Sequence, residues 1–129
     1  MFFYKRKLKW HAYQDNELPE ISVLISAFNE ESVIEKKIRS LIESEYPSEK
    51  TEILVGSDAS TDETNTIIKK LEQKQSNLKG YFFERRQGKP NIINQLATKA
   101  KGEILIITDA NVMLEKNTLR ELVKYFKSA

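Results

Sequence analysis

From Pro19 onward the sequence alternates between strand-like and helix-like periodicity, and this alternation constrains the fold more than any other feature. Short runs rich in β-branched or aromatic residues predict buried strands at residues 21–27, 52–56, 80–84 and 103–108. Apolar residues at helical spacing predict helices at residues 30–44, 60–75 and 117–127, and a further helix between Pro90 and Gly102. The regular βα order predicts an α/β fold, with a mostly parallel sheet of about four strands and helices on both faces.

The second helix also carries a local start signal. Ser60 is followed three residues later by Glu63, which is the spacing of a capping box. The helix is therefore predicted to begin at Ser60.

Composition restricts the functions open to a chain of 129 residues. A hydrophobic content of 40% beside 31% charged residues is typical of one soluble globular domain. The net charge of +2 makes no case for nucleic-acid binding. The absence of cysteine excludes disulfides and thiolate chemistry, and a single histidine, His11, excludes a histidine-rich metal site.

Residues 1–20 precede the alternating region, and residues 1–10 combine several cations with aromatic residues and no acid. One interpretation is a solvated, partly ordered tail. The other is a juxtamembrane segment, with aromatic residues at the interface and cations facing anionic lipid. No apolar run approaches the roughly 20 residues that span a bilayer, so the chain itself is expected to be soluble. A membrane helix ahead of it in a longer parent protein stays an open interpretation.

Polar side chains follow every predicted strand, in segments 26–31, 57–62, 85–89 and 108–111. Ligands of parallel α/β sheets bind outside the carboxyl ends of the strands, so these segments are expected on one rim. Each has a structural interpretation, because Asn29 can cap a helix, Asp58 can serve a turn, and the basic segment can be a solvated charge run. The convergence of two aspartates with Gly88 and Lys89 favours a binding site.

Recognition of a nucleoside diphosphate needs residues of these types. A carboxylate accepts from a base or ribose hydroxyls, a lysine places charge near the diphosphate, and a divalent cation with oxygen ligands bridges the phosphates. Gly88 allows close backbone approach before the third helix. The sequence contains neither G-x-x-x-x-G-K-[ST] nor G-x-G-x-x-G, so phosphate-loop and dinucleotide interpretations have no support.

At these residues the sequence resembles the family 2 glycosyltransferases, whose catalytic domain has the GT-A fold, over residues 21–129. The resemblance rests on four segments in order: Ser26-Ala27-Phe28-Asn29-Glu30, Ser57-Asp58-Ala59-Ser60-Thr61-Asp62, Arg86-Gln87-Gly88-Lys89 and Thr108-Asp109-Ala110-Asn111. It implies a Rossmann-like nucleotide-binding half of that domain. It also implies an inverting transfer of sugar from a nucleoside diphosphate donor to a saccharide or lipid, in cell-surface polysaccharide or glycolipid synthesis at the cytoplasmic side of a membrane.

The resemblance also implies roles for individual residues. The nucleotide-sugar contacts would be Ala27, Phe28, Asn29, Glu30, Asp58, Lys89, Asp109 and Ala110. Asp109 and Asn111 stand at the family's D-x-D position, which holds ribose, diphosphate and Mg²⁺ or Mn²⁺.

Four departures from the family pattern modify this expectation. Ser26 stands where the family often has proline, and Ser57 where it often has a first aspartate. Asn111 replaces the second acid of the D-x-D, and its uncharged oxygen predicts weaker metal binding unless the diphosphate supplies most ligands. The general-base aspartate of the family follows this region and is expected beyond Ala129. The chain is then a domain without its C-terminal half, and alone it is expected to bind donor weakly and transfer nothing.

One further interpretation stays open, and two others are disfavoured. A non-catalytic nucleotide-sugar-binding module needs no further half. A receiver-type signalling domain needs an acidic pair where the first strand here ends in Ser26 and Ala27, and a sugar-nucleotide pyrophosphorylase needs a glycine-rich loop that is absent. If a missing half normally covers the fourth strand and the last helix, their apolar residues are expected to be exposed and to support a dimer.

Overall fold

The computed structural model describes residues 2–5 and 18–127. In chain order the elements are β1 (Phe2–Lys5), β2 (Ile21–Ala27), α1 (Ile34–Ile42), a 3-10 turn (Ser48–Lys50), β3 (Thr51–Asp58), α2 (Thr64–Lys74), β4 (Leu78–Phe83), α3 (Lys89–Lys99), β5 (Ile104–Asp109) and α4 (Thr118–Lys127). The predicted series of four βα units is confirmed. His11 and most of the basic N-terminal segment lie outside the described residues.

Five strands form one sheet in the order β1-β5-β2-β3-β4. β5, β2, β3 and β4 are parallel, which confirms the predicted α/β fold. β1 pairs antiparallel with the outer edge of β5, whereas the sequence pattern predicts a tail over residues 1–20. Four residues without alternating periodicity carry no strand signal of their own, and an open sheet edge offers backbone groups to any extended segment.

The sheet separates two hydrophobic layers. Val23 and Ile25 of β2 face the layer covered by α1, α2 and α4. Leu24 between them faces the opposite layer, where Ile92 and Leu96 of α3 pack. This alternation follows from the pleat of a strand, and it places helices on both faces of the sheet as predicted.

The helices α1 and α2 each begin four residues later than their sequence patterns suggest. Residues 30–33 form a turn ahead of α1, in which the N–H groups of Val33 and Ile34 donate to the Glu30 carbonyl. The prediction of a capping box at Ser60 and Glu63 is wrong, because α2 begins at Thr64 and the Ser60 hydroxyl accepts from the backbone N–H of Asn29. Residues of both segments instead form hydrogen bonds between the loop after β2 and the loop after β3.

The last strand and helix are better covered than expected for a partial domain. β5 lies between β1 and β2, and Leu119 and Val123 of α4 are buried. The prediction that these apolar residues are exposed is therefore wrong. The strand β1 pairs with the outer edge of β5, and α4 packs on the sheet. Tyr125, 65% exposed, is the large apolar side chain that α4 presents among its described residues.

Gly102 lies beyond the end of α3 at a close approach between chain segments. Its N–H donates to the Ser22 hydroxyl at 2.8 Å. A Cβ atom added at Gly102 would stand 2.5 Å from the Ser22 backbone nitrogen. The position therefore requires glycine because of the space available rather than because of a helix cap.

Candidate functional site

The carboxyl ends of the parallel strands bring the predicted site residues onto one rim of the sheet. Ala27 at the end of β2 pairs with Ser57 of β3, and Ser26 pairs with Asp109 of β5. Asp58 follows directly at the end of β3, beside Phe83 of β4. The loops after these four strands therefore leave the sheet side by side.

The loops after β2 and β3 are joined by hydrogen bonds in both directions. The Asn29 side-chain oxygen accepts from the backbone N–H of Thr61 at 2.8 Å, and the Asn29 N–H donates to Ser60 Oγ at 3.1 Å. The Glu30 N–H donates to Thr64 Oγ1 at 2.8 Å. Asn29 adopts a φ of 49°, a left-handed conformation that asparagine tolerates better than most residues. Its amide oxygen therefore holds the neighbouring loop and does not cap α1.

Two acidic residues complete this joint. Glu31 accepts from the Glu63 N–H at 3.0 Å, and Asp62 accepts from the Glu31 N–H at 3.2 Å. Asp62 also accepts from the backbone N–H of Thr64, which satisfies a donor at the start of α2. Burial would raise the pKa of Asp62, but the bonds from Thr64 and Glu31 outweigh it and lower that pKa. These hydrogen bonds join residues 29–31 and 60–63 into one continuous wall along the rim, beyond the ends of β2 and β3.

Asp58 holds the segment that follows β4. Its carboxylate is 2% exposed and accepts from the backbone N–H groups of Gln87 at 2.7 Å and Gly88 at 2.9 Å. The Arg86 guanidinium donates to it at 3.2 Å. Burial would raise the pKa of Asp58, but these backbone bonds and Arg86 lower it, so the group is ionised at neutral pH. Gly88 has a φ of 87°, which lets the chain turn into α3 at this point.

An aromatic and a cation lie at the mouth of the rim. The Arg86 guanidinium carbon is 3.4 Å from the centre of the Phe28 ring, at stacking distance. Phe28 is 38% exposed, so part of its ring lies at the surface of the rim beside this cation. The sequence pattern treats Arg86 as part of a charge run, and its position becomes visible only when the loops after β2 and β4 meet.

Lys89 and Asp109 form an ion pair across the rim. Lys89 is the first residue of α3, Asp109 is the last of β5, and both side chains are about half exposed. The hydrogen bond from Lys89 is the main reason why the pKa of Asp109 is lowered. An exposed pair of this kind is weak in water, so each partner is available to exchange the other for a ligand.

A buried lysine lies behind this pair. The Lys37 side chain of α1 has no solvent exposure, and its ammonium donates to Thr108 Oγ1 at 2.6 Å and to the Val112 carbonyl. Burial lowers the pKa of Lys37 to about 8, and the charge of Asp109 opposes that change. Sequence reasoning missed Lys37, although its spacing of three from Ile34 places it on the apolar face of α1.

The two predicted metal ligands, Asp109 and Asn111, could bind a cation only if another molecule supplied further oxygen atoms. Asp109 offers a charged oxygen, and Asn111 is exposed two residues later in a turn closed by the Val112 N–H and the Asp109 carbonyl. Within residues 18–127, no group of three or more His, Cys, Asp or Glu side chains is arranged to hold a metal ion. A diphosphate would have to provide the remaining oxygen ligands.

Two of the predicted contacts, Ala27 and Ala110, are buried and offer almost no surface to a ligand. A separate cavity of about 320 Å³ lies at the opposite edge of the sheet, lined in part by Glu20, Thr51 and Gly102. That cavity is remote from every predicted site residue. The rim beyond the carboxyl ends of β2, β3 and β5 is therefore the candidate site.

A parallel sheet with helices on both faces is the architecture of the GT-A glycosyltransferase domain. Solved structures share this fold. A mannosyltransferase from Pyrobaculum calidifontis, in complex with GDP-Man and Mn²⁺, matches with a TM-score of 0.81 and 31% identity over 86% of this chain and 33% of its own. TarS residues 1–349 of S. aureus in complex with UDP-GlcNAc matches with a TM-score of 0.77 and 28% identity, over 84% of this chain and 31% of its own.

The family model described as glycosyl transferase family 2 matches residues 22–129, and the chain belongs to this family. A β-monoglucosyldiacylglycerol synthase of Synechocystis is 33% identical over 85% of this chain and 23% of its own length. The probable glycosyltransferase YdaM of Bacillus subtilis is 31% identical over 95% of this chain and 30% of its own. The chain thus spans about a quarter to a third of the length of these relatives.

Proposed function

We propose that this chain forms the donor-nucleotide half of an inverting glycosyltransferase, which moves a sugar from a nucleoside diphosphate to a saccharide or lipid acceptor. The observation that carries the proposal is the convergence of Asp58, Lys89 and Asp109 on one rim of the sheet. Membership of family 2, and relatives solved with GDP-Man or UDP-GlcNAc, support it.

In this proposal the base stacks near Phe28, where the ring and Arg86 offer a flat surface and a cation. Asp58 contributes mainly by holding the Gln87 and Gly88 backbone beside the nucleotide, because three of its acceptor positions are already occupied. The wall formed by residues 29–31 and 60–63 limits the movement of the base and ribose. Preformed loops of this kind reduce the entropy cost of binding.

The diphosphate is proposed to lie between Lys89 and the turn that follows β5. Lys89 exchanges Asp109 for phosphate oxygens, which releases the carboxylate. Asp109 and Asn111 would then hold Mg²⁺ or Mn²⁺ together with the diphosphate. A cation bound there neutralises charge on the leaving nucleotide. The chain spans about a quarter to a third of the length of the relatives named above, so the general base that deprotonates the acceptor is proposed to lie elsewhere in the parent protein.

The parent protein is proposed to act in glycolipid or cell-surface polymer synthesis at the cytoplasmic side of a membrane. Two relatives support this class of acceptor by name, a β-monoglucosyldiacylglycerol synthase and the poly(ribitol-phosphate) β-N-acetylglucosaminyltransferase TarS. None of the helices among residues 18–127 has both the length and the apolar character that crossing a bilayer requires. Contact with the membrane would involve residues 1–10, most of which lie outside the described residues.

Calorimetric titration with UDP and with GDP, each with and without Mn²⁺, tests the donor site directly. We expect one nucleotide to bind in a metal-dependent manner, and Asp109→Asn to weaken that binding by about tenfold or more. Glu49→Gln is the matched control, because Glu49 is an exposed carboxylate in the 3-10 turn before β3, at the other end of the sheet. Failure of a folded chain to bind either nucleotide would contradict the proposal.

A further inference from the structure

Lys37 is a charged side chain in a place that strongly disfavours charge. It has no solvent exposure, and its neighbours on the same face of α1 are Ile34, Ile38 and Leu41. Its ammonium donates to two neutral oxygens, and no carboxylate among the described residues lies within ion-pairing distance of it. A buried lysine with only neutral partners costs stability, which calls for a compensating role at this position.

The two partners of Lys37 flank the turn that carries the candidate metal ligands. Thr108 is the residue before Asp109 in β5, and Val112 is the residue after Asn111. The Val112 N–H donates to the Asp109 carbonyl at 3.2 Å, so the turn is closed on itself as well. One ammonium therefore ties both ends of the turn 109–112 to α1 from the interior of the domain.

Lys37 and Lys89 approach Asp109 from opposite sides. Lys37 lies in the core, where it holds Thr108, the residue before Asp109. Lys89 approaches from the solvent side, is about half exposed, and would leave Asp109 when phosphate arrives. Lys37 has no solvent exposure and bonds Thr108 and Val112 rather than Asp109, so its hydrogen bonds persist when a ligand replaces Lys89.

We propose that Lys37 is a positioning residue of the donor site, which fixes the turn 109–112 from inside the core so that Asp109 and Asn111 are presented together to the nucleotide diphosphate and its cation. This inference rests on the proposed function. It differs from a general stabilising role because it predicts a local effect on one turn and on metal-assisted binding.

The test compares Lys37→Met with two other variants. Methionine keeps most of the aliphatic volume and removes both hydrogen bonds, and Thr108→Val removes one of them at a different residue. Ile38→Val is the matched control, because it shortens the neighbouring buried side chain of α1, which makes no hydrogen bond to the turn. Hydrogen exchange of individual amides is followed by NMR, and nucleotide affinity is measured by calorimetry with and without Mn²⁺.

We expect Lys37→Met to reduce the protection of the Val112 amide by about tenfold or more relative to β2 and β3, with a smaller loss in Thr108→Val and none in Ile38→Val. The affinity gained by adding Mn²⁺ should fall by about tenfold in Lys37→Met, while the metal-free affinity changes less than about twofold. Unchanged protection of the turn, or an equal loss over the whole sheet, would overturn the inference. If Lys37→Met does not fold, the Thr108→Val result decides in the same terms.

The two proposals fail in different ways. A wild-type chain that binds neither nucleotide contradicts the proposed donor site, and the exchange measurements still decide whether Lys37 orders the turn. A wild-type chain with metal-dependent binding that survives Lys37→Met unchanged contradicts only the role of Lys37.

Discussion

Replacing Asp58 by asparagine tests whether one buried carboxylate holds the segment 86–88 against the rim. Asparagine has nearly the same shape, so the change removes charge and one acceptor without creating a cavity. In the wild-type protein the carboxylate accepts from the N–H groups of Gln87 and Gly88 and from the Arg86 guanidinium. The segment is neither strand nor helix, and α3 begins directly after it at Lys89.

The expected magnitude follows from these three bonds. An asparagine oxygen can satisfy one of the two backbone donors, and the other is left facing an amide group. An unsatisfied buried donor costs about 1–3 kcal/mol, and the loss of charge weakens the remaining bond by about 1 kcal/mol. The ion pair adds little, because the Arg86 side chain is 54% exposed. We expect the free energy of unfolding to fall by about 2–4 kcal/mol at neutral pH.

The pH dependence has a definite sign. The pKa of Asp58 is lower in the folded protein than its ordinary value, because the hydrogen bonds outweigh the effect of burial. Such a group contributes its full stability above its unfolded pKa of about 4, and loses it as the pH falls through the folded pKa. The difference between the wild-type protein and Asp58→Asn should therefore be constant from about pH 5 to 7 and shrink below about pH 4.

Urea unfolding followed by far-UV circular dichroism measures this difference at each pH. Glu35→Gln is the control, because Glu35 pairs with Arg39 on the exposed surface of α1 and should change stability by no more than about 0.5 kcal/mol. A loss below about 0.5 kcal/mol in Asp58→Asn at neutral pH, or a difference that grows on acidification, would refute the reasoning.

Three further substitutions have expected outcomes. Ala59→Gly should stabilise the protein by about 0.5–1 kcal/mol, because Ala59 has a φ of 58°, and a lower urea midpoint would contradict this. Gly102→Ala should destabilise it by about 2 kcal/mol or more, since a Cβ would stand 2.5 Å from the Ser22 nitrogen; thermal unfolding checks this, and an unchanged midpoint would mean that the backbone yields freely. Phe28→Ala should weaken nucleotide binding by about tenfold in calorimetry through loss of base stacking, and equal affinity would place the base elsewhere.

Much of the sheet is predictable from the sequence because its strands are short and separated by helical patterns, and β2 and β3 are almost fully buried. Residues 21–27 form a strand with the predicted bounds, since every position from Ile21 to Ile25 is buried. The predicted boundaries of an element are wrong where a residue distant in the sequence determines where the element begins. Ser60 has the local pattern of a helix cap, but Asn29 and Ser57 bond its hydroxyl, so α2 starts four residues later.

In the candidate site, too, the positions of the residues could be predicted from the sequence, but their contacts could not. Asp58, Lys89 and Asp109 could be predicted to share a rim because parallel strands place their carboxyl ends together. The partners of these side chains could not be predicted, because the contacts join residues about 20 to 70 positions apart, as between Lys37 and Thr108. A lysine among apolar residues on one helical face is a usable signal, but the sequence does not indicate which oxygens it meets.

The hydrogen bonds between the loops after β2 and β3 have a consequence for protein engineering. Asn29 and Glu31 satisfy backbone groups of Thr61, Asp62 and Glu63, while the second loop satisfies backbone groups of the first. A loop grafted alone from a relative would meet a partner selected for a different sequence. Exchange of donor preference between members of the family should therefore succeed more often when both loops are transplanted as a pair.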